Sequence, residues 1–264
     1  MAFAEVYFYS EILKMDTAVN VILPEERQGI GMSGDRRKSC PVLWLLHGRS
    51  DDHTTWMRRT SIERYAAPLG LMVVMPDAGY SRYLNMAHGQ NYYDYIVREL
   101  PEFCRSCFPL MSCDREDNYI AGLSMGGGGA MYIGLKNPDK YSHICMLSTG
   151  GAIPLEQLWR DTKKQKKWNF EIYGTEDQSE LTGGEYDILE LIRKLPEKTD
   201  ELPRVFHAMG TEDQRYVAGQ AVKTAFESIP GNPYGYEYHE GPGNHEWAFW
   251  DFWIQKFLAT LPAR

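Results

Sequence analysis

The sequence predicts an α/β fold with a mostly parallel central sheet, and three observations predict it. Short, continuously apolar runs at residues 41–46, 71–75, 142–148 and 204–209 read as strands buried on both faces. Helical stretches separate most of these runs, so strands and helices alternate as they do when helices cover both faces of a parallel sheet. Ser124 lies in Gly122-Leu123-Ser124-Met125-Gly126, directly after the apolar run that starts at Asn118. That is the composition of a strand turning sharply into a helix with a serine at the bend.

Taken in order, residues 4–12 and 17–23 set β-branched and aromatic residues between polar ones and read as antiparallel strands at one side of the sheet. A polar loop leads to the first buried strand, 41–46, which His47-Gly48 ends. A helix over 61–69 precedes the strand 71–75, and Pro76-Asp77 closes that strand. The helix over 92–108 contains Pro101, which should bend or reset it. After the serine turn come a small-residue helix at 126–136 and the strand 142–148. From 150 to 202 the alternation weakens, which reads as a small cap-like insertion in a single domain spanning 1–264. Its Lys163, Lys164, Lys166 and Lys167 read as a solvated helix face. The strand 204–209, a helix at 217–228, a strand at 236–239 and an aromatic helix at 246–258 complete the order.

A chain of 264 residues with 43% hydrophobic and 13% aromatic content can bury a large core. Its formal charge of -8 argues against a nucleic-acid or anionic-membrane partner, and neutral substrates are expected. The N-terminus lacks a basic segment followed by an apolar one, and the expected location is the cytoplasm. Cys40, Cys104, Cys107, Cys113 and Cys145 are odd in number, which fits reduced thiols. Cys104 and Cys107, three apart on a helix, are expected to share one buried face as structural thiols. No cofactor is implied, and a homo-oligomer is left open.

An aliphatic hydroxyl needs a base, a group to orient that base and donors for an oxyanion. In folds built on such an elbow the chain order is nucleophile, acid, histidine. His245, in the turn-rich Gly241-Pro242-Gly243-Asn244-His245 after the last strand, fits the base. Gly-Thr-Glu-Asp-Gln occurs at both 174–178 and 210–214, so Asp177 and Asp213 compete for the acid. Asp213 directly follows a buried strand, whereas Asp177 lies in the insertion, so Asp213 is assigned and Glu212 is the fallback. The expected oxyanion donors are the backbone N–H groups of Met125, at the start of the elbow helix, and Arg49, in the loop after 41–46.

The segments LLHGRSDDHTTW, AGLSMGGGGAMYIGLKNPDKY, MGTEDQRY and GPGNHEW resemble the putative-esterase branch of the α/β-hydrolases nearly end to end. That branch includes tributyrin esterases, esterase D (S-formylglutathione hydrolase) and feruloyl esterases. The resemblance implies an α/β-hydrolase fold and hydrolysis of small carboxylic esters, with Ser124, Asp213 and His245 as triad and Arg49 and Met125 as amide donors. Short-chain acyl esters are the first expectation; plant polysaccharide feruloyl or acetyl-xylan esters are the second. Gly128 stands where the glutathione-thioester enzymes usually carry histidine, which argues against that substrate, and Asp51-Asp52 replace the Ser-Gly-Asn-like loop of the tributyrin esterases. Trp56, Ile153, Leu155 and Trp159 are the expected pocket walls. A metal loop of His47, Asp51, Asp52 and His53 is a weaker rival, because it lacks a tight His-x-His pair, and a non-catalytic scaffold is another.

Overall fold

The computed structural model describes residues 1–25, 39–150 and 163–262. Eight strands form one sheet: β1 (Ala2–Ser10), β2 (Met15–Leu23), β3 (Val42–Leu46), β4 (Met72–Pro76), β5 (Asn118–Leu123), β6 (His143–Leu147), β7 (Arg204–Gly210) and β8 (Glu237–Gly241). Their order across the sheet is β1-β2-β4-β3-β5-β6-β7-β8. β1 and β2 form an antiparallel hairpin, and β2 joins β4 antiparallel. Every later pairing is parallel. The two-part sheet therefore follows the expected plan.

The apolar runs are continuous because both faces of the sheet are buried. Along β3, Val42, Trp44 and Leu46 point into one core while Leu43 and Leu45 point into the other. The first core also takes Ile133 and Leu135 of the helix Met125–Lys136 and Val222 of the helix Tyr216–Glu227. The second takes Trp56, Ile62 and the helix Trp247–Leu258, whose Trp250, Ile254 and Phe257 are buried. Burying a Leu or Phe side chain contributes about 1.5–3 kcal/mol each, so these two layers hold the sheet between helices and leave its ends for loops.

Pro101 resets its helix as expected. A wide π-type turn over Tyr95–Glu99 joins the short helix Tyr92–Asp94 to the helix Leu100–Cys107. Proline cannot donate to the carbonyl four residues back, and the Val97 carbonyl instead accepts from Lys140 Nζ at 3.2 Å. The thiols depart from expectation. Cys104 is buried, whereas Cys107, the last residue of its helix and past its buried residues Leu100, Pro101 and Cys104, is exposed. Burial pushes the Cys104 thiol up to about 12.

The weakly patterned stretch after 150 is helical where described. It contains the helices Lys163–Tyr173 and Ile188–Lys194. The first is tied to the loop after β4, where Ala87 and His88 amides donate to the Ile172 and Glu171 carbonyls and Trp168 Nε1 donates to the Tyr80 carbonyl. Lys167 is exposed and pairs with Glu171, in keeping with a solvated face. Ile153, Leu155 and Trp159 lie outside the described residues. Among the described residues, no helix is long and apolar enough to cross a membrane.

Candidate active site

The parallel strands end on one side of the sheet, and the loops there carry the chemistry. Ser124 follows β5 at once and has φ 51°, ψ -114°, a conformation rarely adopted by a side-chain-bearing residue. The neighbouring glycines permit this bend. A Cβ on Gly122 would lie 2.4 Å from the Gly126 backbone, and one on Gly126 would lie 2.4 Å from the Leu46 carbonyl oxygen. Strand, turn and helix are thus crossed so closely that only hydrogen atoms fit. The Ser124 amide donates to the Leu147 carbonyl, and Thr149 Oγ1 donates to the Ser124 carbonyl at 2.8 Å, which fixes the bend from the side of β6.

His245 sits in the loop after β8. Its Nε2 is 2.9 Å from Ser124 Oγ, and its Nδ1 is 2.9 and 3.1 Å from the two Asp213 carboxylate oxygens. Asp213 is buried at the end of β7. Since a carboxylate only accepts, the imidazole carries its proton on Nδ1 and leaves Nε2 to accept the Ser124 hydroxyl proton. Burial works against the charged form of Asp213, but donation from His245 and from the Arg215 amide outweighs it and holds the carboxyl below its ordinary pKa. Trp250 packs edge-on against the imidazole with ring centroids 5.0 Å apart. The ring is therefore fixed by two hydrogen bonds and one wall.

Glu212 does not reach the imidazole. It accepts from the Gly243 amide and so anchors the loop that presents His245. Asp177 is exposed and caps its own short turn by accepting from the Ser179 amide and hydroxyl. Below Thr149, buried His207 places Nδ1 2.8 Å from the Tyr236 hydroxyl and Nε2 3.2 Å from the Thr149 carbonyl. The carbonyl requires the Nε2–H tautomer, and burial lowers the pKa of His207 to about 4.

A cavity of about 210 Å³ opens beside Ser124 and His245. Arg49 and Met125 both line it, and among the described residues neither backbone amide donates to an acceptor. Met125 begins the helix Met125–Lys136, so its N–H has no partner within the helix. The rest of the wall includes Leu84, Gly128, Met131, Tyr132, Trp168 and Tyr173. Trp56 is not in that wall. It is 1% exposed, donates from Nε1 to the Leu46 carbonyl, and packs edge-on against Trp247 beneath the loop. Trp168 and Tyr173 escaped sequence reasoning as wall residues because the segment after 150 has no strand-end pattern to position them.

The loop after β3 is committed to structure. His47 accepts from the Ala78 amide at Nε2 and places Nδ1 2.7 Å from the Gly48 carbonyl, while the Tyr83 hydroxyl donates to the His47 carbonyl. Asp52 accepts from Thr54 and Thr55, and His53 meets Glu5. Although burial opposes it, donation from Thr54 and Thr55 holds Asp52 at about 2. Among the described residues, no group of three or more His, Cys, Asp or Glu side chains is placed to hold a metal ion.

Comparison with known proteins bears on this geometry. The family model described as Putative esterase matches residues 10–263. An acetyl esterase from Caldicellulosiruptor saccharolyticus is 29% identical over 262 residues, covering 96% of both chains. Two solved structures from Staphylococcus aureus superpose with TM-scores of 0.81 over 98% of each chain. One is a fluorophosphonate-binding serine hydrolase with substrate bound, 33% identical, and the other is an S-formylglutathione hydrolase, 34% identical. The architecture is the α/β-hydrolase fold that the sequence led one to expect. The chain belongs to the Putative esterase family and is a carboxylic ester hydrolase.

Proposed function

We propose that the chain hydrolyses short-chain acyl esters through an acyl-enzyme on Ser124, with His245 as base and Asp213 as its orienting acid. The observation that carries this reading is the imidazole held at 2.9 Å from both Ser124 Oγ and an Asp213 carboxylate oxygen. Ser124 Oγ attacks the ester carbonyl carbon as its proton passes to His245 Nε2. The oxyanion forms toward the amides of Met125 and Arg49, each donor being worth about 3–4 kcal/mol of transition-state stabilisation. Collapse expels the alcohol, which takes the proton from His245. Water then attacks the acyl-enzyme by the same route and releases the acid.

Cavity size supports a short acyl group, and so does the similarity to an acetyl esterase. In this reading the segment 150–202 acts as a cap within a single domain, because its Trp168, Tyr173, Tyr186 and Ile188 line the cavity. A cytoplasmic location fits five cysteines that form no disulfide with one another. The S-formylglutathione hydrolase similarity favours a thioester as the second reading. A Cβ at Gly128 would meet only Thr149 Oγ1, at 3.6 Å, so the position has space for a side chain and lacks one.

Initial rates on p-nitrophenyl esters of rising chain length, beside methyl ferulate, acetylated xylan fragments and S-formylglutathione, test the substrate. Highest kcat/KM on acetate to butyrate is expected; a peak on feruloyl or thioester substrates contradicts the short-ester reading. Ser124→Ala is expected to abolish turnover of every ester consumed.

A further inference from the structure

Three loops from three different strand ends each bring an arginine to the cavity beside Ser124. Arg49 follows β3, Arg82 follows β4 and Arg215 follows β7, and all three line the wall. Among the described lining residues there is no aspartate or glutamate. None of the three guanidinium groups forms an ion pair with a described carboxylate, and the nearby Asp213 is taken up by His245 and the Arg215 amide. In a chain of net charge -8, this is a local concentration of positive charge where the substrate must lie.

The arrangement is also held in place at some cost. Arg82 and Tyr83 both have positive φ, 55° and 61°, which side-chain-bearing residues rarely adopt. The Arg82 guanidinium carbon lies over the Trp168 ring at 4.3 Å and 5.6 Å from the Tyr173 ring, and that of Arg49 lies over Trp168 at 5.1 Å. A cation–π contact of this kind uses the charge of the guanidinium and leaves its N–H groups to find acceptors. Arg82 Nε is buried and has no acceptor among the described residues. A buried donor left unmade is unfavourable, and a bound acceptor would restore the bond. Arg215 is pressed below its ordinary pKa first by burial and then by the charges of Arg82 and Arg49, so the three cations share one field.

We infer that the preferred substrate is an ester bearing a carboxylate, which the arginines of this cavity bind while Ser124 attacks the ester carbonyl. A carboxylate is planar, accepts bidentate donation from guanidinium and would satisfy the orphaned Arg82 donor. The inference rests on the esterase reading of Ser124 and replaces the neutral substrate that net charge alone suggests.

Matched ester pairs test it. Monoethyl succinate against ethyl succinamate places the charge on the acyl side, and 4-acetoxybenzoate against 4-acetoxybenzamide places it on the leaving group. The expected result is a kcat/KM preference of about tenfold or more for the charged member of at least one pair, residing mainly in KM and shrinking as salt is added. In Arg82→Gln and Arg215→Gln that preference should fall several-fold, and Arg82→Lys should retain part of it. Equal rates within both pairs, with turnover still dependent on Ser124, would overturn the inference and leave the esterase reading standing. So would a loss in Arg82→Gln that is proportionate for charged and neutral esters, since a clamp holding the helix Lys163–Tyr173 predicts that. Absence of Ser124-dependent turnover on all four esters would refute both.

Discussion

Gly-Thr-Glu-Asp-Gln stands twice in the chain, and its two copies fold alike over a few residues yet take up different positions. Asp177 Oδ1 accepts from the Ser179 amide at 2.9 Å, and Asp213 Oδ1 accepts from the Arg215 amide at 2.7 Å. Each aspartate thus closes the same turn with an amide two residues on. The first copy begins where the helix Lys163–Tyr173 ends, and its carboxylate stays exposed. The second begins at the end of a buried parallel strand, and its carboxylate is turned inward onto His245. Five identical residues determine the turn; the strand in front and the loop opposite determine whether its acid can orient a base.

The comparison breaks most sharply in turnover. Asp213→Asn should lower kcat by about four orders of magnitude, since the amide favours the wrong imidazole tautomer. Asp177→Asn should leave ester turnover unchanged. Equal effects in steady-state assays would mean that the buried setting of Asp213 has no catalytic meaning.

A second test is stability, because the strand before Asp213 carries His207. His207 and His143 are both lowered to about 4 by burial, so the fold keeps them neutral. Between pH 6.5 and about 4 the unfolded chain binds more protons than the folded one. Their contribution is therefore fully present above pH 6.5 and lost as pH falls toward 4, by on the order of 3 kcal/mol for fully buried His207. The carboxylates held low, Asp52, Asp77 and Asp213, extend the same trend below pH 4. Urea unfolding at several pH values should show this slope, and His207→Phe should flatten it; an unchanged slope would exclude His207 as its source.

The smallest expected effect lies in the loop opposite. Glu212→Gln weakens the tie to the Gly243 amide without touching the imidazole, so kcat should drop by about tenfold or less. A loss as large as that of Asp213→Asn would show that Glu212 is the orienting acid after all.

Sequence made the strands legible because burial on both faces leaves an uninterrupted apolar run, as in Val42–Leu46. It made Ser124, Asp213 and His245 legible because each follows a strand in a fixed chain order. The cavity wall was not legible in the same way. Trp56 and Trp168 are both tryptophans outside any strand, and only packing distinguishes the one beneath the loop from the one in the wall. Arg82 and Arg215 lie in loops without periodicity, and overall charge concealed them, because a net of -8 says nothing about the field in one cavity.

The central claim is that Ser124 becomes acylated. Peptide mass spectrometry after treatment with a fluorophosphonate tests it most directly. One adduct on the peptide containing Ser124 is predicted, absent from Ser124→Ala and formed in step with loss of ester turnover. An adduct elsewhere, or complete labelling with turnover intact, would contradict it.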